Sequence, residues 1–360
     1  MTLNGKIKKI LTHNKALWFS YSFAWRYCLI HQILVWTHGM FIIEKFFSYT
    51  YFSDEFGSMG VFQGVMEFVR PLLEAYVALK WLQKSNVFNK NNIELPLKLK
   101  FLLMGVSTVG GIASILGWGA LRTLDLQEYS KFCQLMKACI LIGGGYLIAK
   151  KFDCINRISP FLPIPSLFNQ AELTLKIKDI FHVFLHLFCR VYAIAFLSIQ
   201  FIDSLKVSLL SDSEKFSGWE GLGYMALLLL VFSIYMFFLV YKAIKEAAVY
   251  KFDHLELRLG TSKWKKRVVI FLLTSLFFVL EKASLVFKYF FLAYNIIDIQ
   301  FILGHPGFRL SFTHSVETLI CFLACLSIAM VVWYILVRGG AVSVYRDCRT
   351  LEGEKVIDNG

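Results

Sequence analysis

The sequence predicts an all-α integral membrane protein that crosses the bilayer eight times, as four helical hairpins. Three observations support this prediction. Hydrophobic residues make up 57% of the chain and charged residues only 18%, whereas a soluble domain has about 25% charged residues. Apolar stretches recur at close to the roughly 20 residues that cross the hydrocarbon core as a helix. Basic clusters stand at both ends of each pair of stretches.

The eight predicted spans, H1 to H8, are separated by polar turns or linkers that contain glycine, asparagine, proline or acidic residues. In chain order they cover residues 17–43 (H1), 61–81 (H2), 101–121 (H3), 135–149 (H4), 180–202 (H5), 224–241 (H6), 268–297 (H7) and 316–337 (H8). H2 contains Pro71, which removes one backbone hydrogen bond and predicts a kink. H3 and H4 are rich in glycine, so we expect them to pack closely; a hinge in a pore is the alternative.

The placement of lysine and arginine predicts which side of the membrane each loop faces. The loops at one face hold 26 of these residues and the opposite turns hold 5. The basic loops are 1–15, 80–100, 150–178, 242–267 and 338–360. Because positive residues in short loops stay on the cytoplasmic side during insertion, both termini are predicted to be cytoplasmic. The first apolar stretch is too long for a cleavable signal peptide and is interpreted as the first span.

The chain is predicted to contain two membrane halves joined by a cytoplasmic linker that contains three prolines. The predicted segments are a basic cytoplasmic N-terminus (1–15), membrane half one with H1–H4 (16–151), the linker (152–175), membrane half two with H5–H8 (176–340) and a cytoplasmic tail (341–360). Lys-Phe-Asp ends two hairpins, at 151–153 and 251–253, and Val-Tyr-Arg-Asp at 344–347 ends a third. This similarity suggests duplication of a hairpin unit.

The most polar predicted span is H2, which contains Gln63, Glu67, Arg70 and Glu74. At about 100° per residue these side chains fall within about 60° of one another and form one stripe. A charge in the hydrocarbon core costs about 2.5–3.5 kcal/mol on insertion scales, so each is a functional candidate. The stripe predicts the lining of a polar cavity in which a carboxylate binds a proton or a cation. The alternative is a structural ion pair between Arg70 and Glu67 or Glu74.

H7 contributes Glu281 and Lys288, which are seven residues apart and therefore lie on one face of a helix. This spacing is typical of a face directed into a bundle, so both residues are assigned to the predicted solute or ion pathway together with the H2 stripe. The alternative is a structural pair between Glu281 and an arginine of another helix, for which Arg26 of H1 is a candidate.

His182 and His186 of H5 are four residues apart, a spacing at which two histidines of one helix can hold a metal or haem, or relay a proton. No acidic metal-binding motif accompanies them, so no cofactor is expected. The favoured interpretation is a hydrogen-bonded pair near the cytoplasmic side of the membrane. A membrane enzyme or haem protein that uses this pair is a further hypothesis.

The densest basic cluster precedes H7 and consists of Lys263, Lys265, Lys266 and Arg267. It is predicted to bind anionic lipid headgroups at the cytoplasmic face. Despite the net charge of +13, nucleic acid is not an expected partner, because no motif of a nucleic-acid-binding module is present.

The sequence thus predicts a multi-pass membrane protein that is a transporter or channel for a small solute or ion. The alternative is a membrane-organising or interaction protein with a basic lipid- or partner-binding face. Nucleotide-binding, zinc-hydrolase and serine-hydrolase motifs do not occur, so a catalytic function is not favoured.

Overall fold

The computed structural model describes the helices given below, four short strands and parts of the loops between them. The described residues are 14–36, 56–85, 88, 93–124, 130–158, 171–172, 177–211, 218–247, 249–252, 255–260, 262–294, 323–324 and 326–346. They form two compact units. The first unit takes its described residues from Met1–Phe161, Phe196–Met236 and Lys288–Ile320, and the second from Leu162–Ala195, Phe237–Phe287 and Cys321–Gly360.

The structure is mostly helical. In chain order the helices are α1 (Lys15–Trp36), α2 (Phe56–Gln83), α3 (Leu97–Thr123), α4 (Ser130–Ala149), the single turn α5 (Asp153–Asn156), α6 (Ile177–Ser211), α7 (Trp219–Glu246), α8 (Lys263–Tyr294) and α9 (Leu326–Arg338). They lie at the positions predicted for the eight spans, with α5 as an addition in the linker.

Four of these helices are long and apolar enough to cross a membrane, which indicates a membrane protein. Their spanning segments are Leu97–Ser114, Phe132–Ala149, Ile180–Lys206 and Trp219–Glu246. Helix α2 contains the charged residues of the H2 stripe, and α9 has 13 described residues. The count of eight spans therefore stays a prediction. The C-terminal part of H1, from residue 37, and the beginning of H8 lie outside the described residues.

The first unit is built on a four-helix arrangement in which α1 packs against α2 and α4, and α3 packs against the same two helices. Glycines allow close approach: a Cβ added to Gly144 of α4 would lie 2.9 Å from Val106 Cγ1 of α3, and one added to Gly145 would lie 2.6 Å from Ser20 Oγ of α1. The expectation that H3 and H4 pack closely is confirmed, because small residues here let the helices meet.

A four-stranded antiparallel sheet in the second unit corrects the prediction of an all-α chain. Its strands are β1 (Ala171–Glu172), β2 (Val249–Phe252), β3 (Leu255–Leu259) and β4 (Val342–Arg346), in the order β1-β4-β3-β2. Leu257 is paired with Val344 and Leu259 with Val342, and these four side chains are buried. Arg258, between the two leucines, is exposed, as expected for the two-residue period of a strand.

The segments that suggested a duplicated hairpin do not share one backbone conformation. Residues 149–153 include the end of α4 and the start of α5, whereas the described residues of the two later segments lie in β2 and β4. The structure therefore gives no support to a repeat of this motif.

Aromatic side chains form the core of the second unit. Phe188 of α6 stacks on Phe277 of α8, with ring centroids 4.8 Å apart. Phe184 lies against both Phe277 and Trp333 of α9, at 6.2 and 5.7 Å. Trp333 is fully buried, and its Nε1–H donates a hydrogen bond to the carbonyl oxygen of Ile180, at 2.8 Å. Since a buried indole N–H needs an acceptor, this bond fixes the ring at one orientation.

Candidate functional site

A cavity of about 170 Å³ lies within the first unit. Side chains from α1, α2, α3, α4 and α6 line it, and most of them are polar or charged: Cys28, His31, Gln32, Arg70, Pro71, Gly111, Ser114, Gln134, Lys137 and Gln200. This volume is enough for several water molecules or one small solute.

Gly111 lets α2 and α3 approach each other at the wall of the cavity. A Cβ added to it would lie 3.0 Å from Pro71 Cγ, so the ring of Pro71 takes the place of a side chain on α3. Arg70, the neighbour of Pro71 on α2, lines the cavity. The close contact between Pro71 and Gly111 thus lies in the same wall of the cavity as this arginine.

Glu74 of α2 is a buried carboxylate at the centre of the polar cluster. Its Oε1 lies 2.8 Å from Nδ1 of His31 on α1 and 3.7 Å from Nε of Arg70, one helical turn away. An ionised carboxylate only accepts hydrogen bonds, so Nδ1 of His31 donates the proton in this pair. The contact joins two helices through residues that are 43 positions apart in the sequence.

Lys137 of α4 is also buried, and its Nζ lies 5.0 Å from the centroid of the fully buried ring of Tyr27. The stem of Lys137 passes Gly110 of α3, where an added Cβ would lie 3.6 Å from Lys137 Cγ. A cation over an aromatic face is attracted by the ring quadrupole, by about 0.5–2 kcal/mol. Lys137 therefore brings a second positive charge to the cavity beside that of Arg70.

The structure brings together two members of the predicted H2 stripe, Arg70 and Glu74. Only Arg70 of the two lines the cavity, while Glu74 is bonded to His31. The side chains of Gln63 and Glu67 on α2, and of Glu281 and Lys288 on α8, lie outside the described residues. Their assignment to a pathway stays a prediction.

Arg26, the candidate partner for Glu281, interacts with aromatic rings in the first unit. Its guanidinium carbon lies 4.3 Å from the centroid of Trp25 and 5.4 Å from that of Trp81, and its Nη1 donates to the Ser22 carbonyl oxygen at 2.8 Å.

His182 and His186 form the predicted pair on α6, with their Nε2 atoms 3.0 Å apart. Across the part of the chain that the structure describes, no group of three or more His, Cys, Asp or Glu side chains could hold a metal. In the basic cluster at the start of α8, Lys263, Lys265 and Arg267 are exposed and Lys266 is half-buried.

Sequence reasoning missed the two most informative partners in the cavity, His31 and Lys137. A signal for Lys137 was present, because it is the one Lys, Arg, Asp or Glu in the predicted span H4. Because it is energetically costly to place an ionisable side chain inside the membrane, such a residue within a span is a functional candidate. No local pattern pairs His31 with Glu74, since they lie on different helices.

No protein-family model, curated protein or solved structure matches this chain. Functional inference therefore rests on the helices and on the cavity.

Proposed function

We propose that the protein is a multi-pass membrane protein that binds a small polar solute in the cavity of its first unit and carries it across the bilayer. The observation that supports this proposal is the cluster of His31, Arg70, Glu74 and Lys137 at a cavity, in which Glu74 and Lys137 are buried. Two helices of the same bundle, α3 and α4, are apolar enough to span a membrane. Ionisable groups are expensive at such a place and mark ion or substrate pathways.

The size of the cavity favours a small cargo. At about 170 Å³ it lies below the roughly 300–1,000 Å³ of pockets that hold drug-sized ligands. Its amides and hydroxyl, from Gln32, Gln134, Gln200 and Ser114, supply hydrogen-bonding groups on several helices. An inorganic ion or a solute of a few heavy atoms fits this lining.

The proposal includes eight spans with both termini and all basic loops in the cytoplasm, in the halves 16–151 and 176–340 joined by the linker 152–175. The sheet supports the proposal that three of the basic loops lie on the same side of the membrane. Its strands come from 150–178, 242–267 and 338–360, which are the last three of the five basic loops. Hydrogen-bonded strands lie on one side of a bilayer, so the chain between β1 and β2, and between β3 and β4, crosses an even number of times.

Flux measurements on proteoliposomes test the transport proposal. The purified chain is reconstituted, and uptake of a panel of small ions, organic acids, amines and neutral solutes is measured for the wild type, Lys137→Met and Lys245→Met. Lys245 is exposed near the end of α7 and serves as the matched control. We expect uptake of at least one solute, reduced tenfold or more by Lys137→Met and unchanged by Lys245→Met. Absence of uptake across the panel, or equal uptake by both variants, would contradict the proposal.

A second candidate function, recognition of anionic lipid headgroups, is favoured by the start of α8. Lys263, Lys265 and Arg267 are exposed there, and Trp264 between them is 72% exposed. Basic residues attract anionic headgroups and tryptophan favours the membrane interface.

Lipid retention by the full-length protein tests this candidate. After equal exposure to anionic and zwitterionic lipids in detergent, bound lipid is counted by native mass spectrometry. We expect preferential retention of anionic lipid, reduced severalfold in the triple variant Lys263→Gln/Lys265→Gln/Arg267→Gln. Lys84→Gln, an exposed lysine after α2, is the control. Equal retention of both lipids by the wild type would exclude this function.

A further inference from the structure

We propose that His182 and His186 of α6 bind one divalent ion of a late first-row transition metal, the class that contains Cu²⁺, Ni²⁺ and Zn²⁺. The site belongs to the second unit and does not depend on the proposed transport function. It rests on the distance between two imidazole nitrogens, on the packing of the helix that carries them and on their exposure. Two protein ligands leave the other coordination positions to water or to a further ligand.

The distance between the two rings matches that of a chelate. Nε2 of His182 lies 3.0 Å from Nε2 of His186, and the ring centroids are 4.4 Å apart. Because the nitrogens are closer together than the centroids, they lie on the facing edges of the rings. At metal–nitrogen distances of about 2.0–2.1 Å, two neighbouring ligands of a tetrahedral or octahedral ion lie about 2.9–3.4 Å apart. A metal ion can therefore replace the proton of this hydrogen bond with little movement of the rings.

Helix α6 is held in place by its other faces. Val183, Phe184 and Leu187 are buried beside the pair, and Phe184 packs against Trp333 of α9. The backbone that carries the two histidines is therefore already ordered as a helix. Since binding to a pre-organised site does not pay for ordering the chain, this packing favours the chelate.

Both rings are placed where an ion can reach them from water. His182 is exposed and His186 is half-buried. They lie in the first three turns of α6, which follows strand β1. An open sheet does not occur within the hydrocarbon of a bilayer, so β1 and the start of α6 belong to an aqueous face.

The chemistry of imidazole determines the class of ion. Its nitrogen suits copper, nickel and zinc, whereas magnesium and calcium prefer oxygen ligands. Each ring would carry its proton on Nδ1, which metal-bound histidines usually donate to a neighbouring group. We expect tighter binding of Cu²⁺ than of Ni²⁺ or Zn²⁺, following the general order of affinities for nitrogen sites.

A copper titration of the full-length protein, purified without a histidine tag, tests the site. Cu²⁺ is added below one equivalent, so that it occupies the tightest site, and electron paramagnetic resonance reports the coordinated imidazole nitrogens. We expect two in the wild type and one in His182→Gln or His186→Gln, with Kd raised at least tenfold. Leu185→Gln places the same amide at an exposed neighbouring position, so this control should behave as the wild type.

Thermal unfolding with zinc gives a second measurement. A chelate that joins two residues of one helical turn stabilises the folded state, so Zn²⁺ should raise the Tm of the wild type and EDTA should reverse the rise. Mg²⁺ at the same concentration controls for ionic strength and should have no such effect. The double variant His182→Gln/His186→Gln should show no rise with Zn²⁺.

Two results would overturn the inference. One is a copper spectrum of the wild type without two coordinated imidazole nitrogens, which would leave the histidines as a hydrogen-bonded pair, the interpretation that the sequence alone favoured. The other is equal metal affinity, or an equal rise in Tm, for the wild type and the double variant. The wild-type spectrum requires no variant, so it decides the question even if a substitution prevents folding.

Discussion

Among the described residues, the two units of this protein differ in whether they bury charged side chains. The first unit surrounds Glu74 and Lys137 with helices and leaves a cavity beside them. The second unit fills its core with rings, centred on Trp333 and Phe277, and completes it with a sheet. The comparison teaches that, among the described residues, the buried charged side chains Glu74 and Lys137 belong to the first unit, which also contains the cavity. In the second unit, aromatic packing serves stability.

The largest expected effect comes from a substitution that disrupts the aromatic core of the second unit. Trp333→Ala removes a fully buried indole and its bond to Ile180, and we expect a loss of about 3–5 kcal/mol in the free energy of unfolding. Trp264→Ala, which removes a 72% exposed indole, is the control and should change stability by less than about 0.5 kcal/mol. Unfolding in detergent, followed by thermal aggregation or denaturant titration, measures both. If the two variants lose similar amounts of unfolding free energy, the aromatic core does not have the stabilising role proposed for it.

The next effect tests the polar cluster. Glu74→Leu removes the acceptor of His31 and a partner of Arg70, and we expect a loss of about 3 kcal/mol because one member of a buried ionic contact is removed. The double variant Arg70→Met/Glu74→Leu removes one positive and one negative charge, so it keeps the net charge of the wild type. Its loss of unfolding free energy should therefore be smaller than the sum of the two single losses by at least about 1 kcal/mol. Additive losses would show that the two side chains are not coupled.

A smaller effect concerns the contact of α3 with α4. Gly144→Ala introduces a Cβ 2.9 Å from Val106 Cγ1, and we expect a loss of about 1–3 kcal/mol from overpacking. Gly143, the preceding residue, has nothing within 4 Å of an added Cβ. Gly143→Ala should therefore be neutral or stabilising by up to about 1 kcal/mol. If the two alanine variants have the same stability, the close approach of these helices is wrong.

The smallest effect concerns a single hydroxyl between α1 and α4. Ser20 Oγ donates to the carbonyl oxygen of Ile142 at 2.5 Å, and we expect Ser20→Ala to lose about 0.5–1.5 kcal/mol. Ser327 is exposed on α9, and its Oγ donates to the carbonyl oxygen of Leu323, four residues earlier in the chain, so Ser327→Ala is the matched control and should be nearly neutral. Hydrogen exchange at α1 would show whether the interhelical bond is lost; unchanged protection would contradict its role.

Helix positions followed from apolar runs because burial in lipid or in a bundle requires a continuous apolar segment. Predicted H4 and the observed α4 both end at Ala149, and α7 (Trp219–Glu246) encloses the predicted H6. Half of the site was also predictable: Arg70 and Glu74 share one face of one helix, which the sequence shows directly.

The rest depends on contacts between distant segments. His31 and Lys137 join the cluster from α1 and α4, and a periodic pattern within one helix contains no information about such neighbours. The sheet was missed for a related reason. Its strands have two to five residues each, and β1 and β4 pair across most of the second half of the chain. Strands this short leave a weak pattern in loops rich in lysine and arginine.

The order of the strands bears on how the chain is made. During translation, β2 and β3 can pair as a hairpin as soon as both strands have left the ribosome. Strand β1 pairs with β4 and must wait until β4 has been synthesised. That partner is synthesised last of the four, after α8 and α9. The sheet is therefore completed late in translation, and a stop codon before residue 342 would leave β1 and one edge of β3 without the strand that joins them.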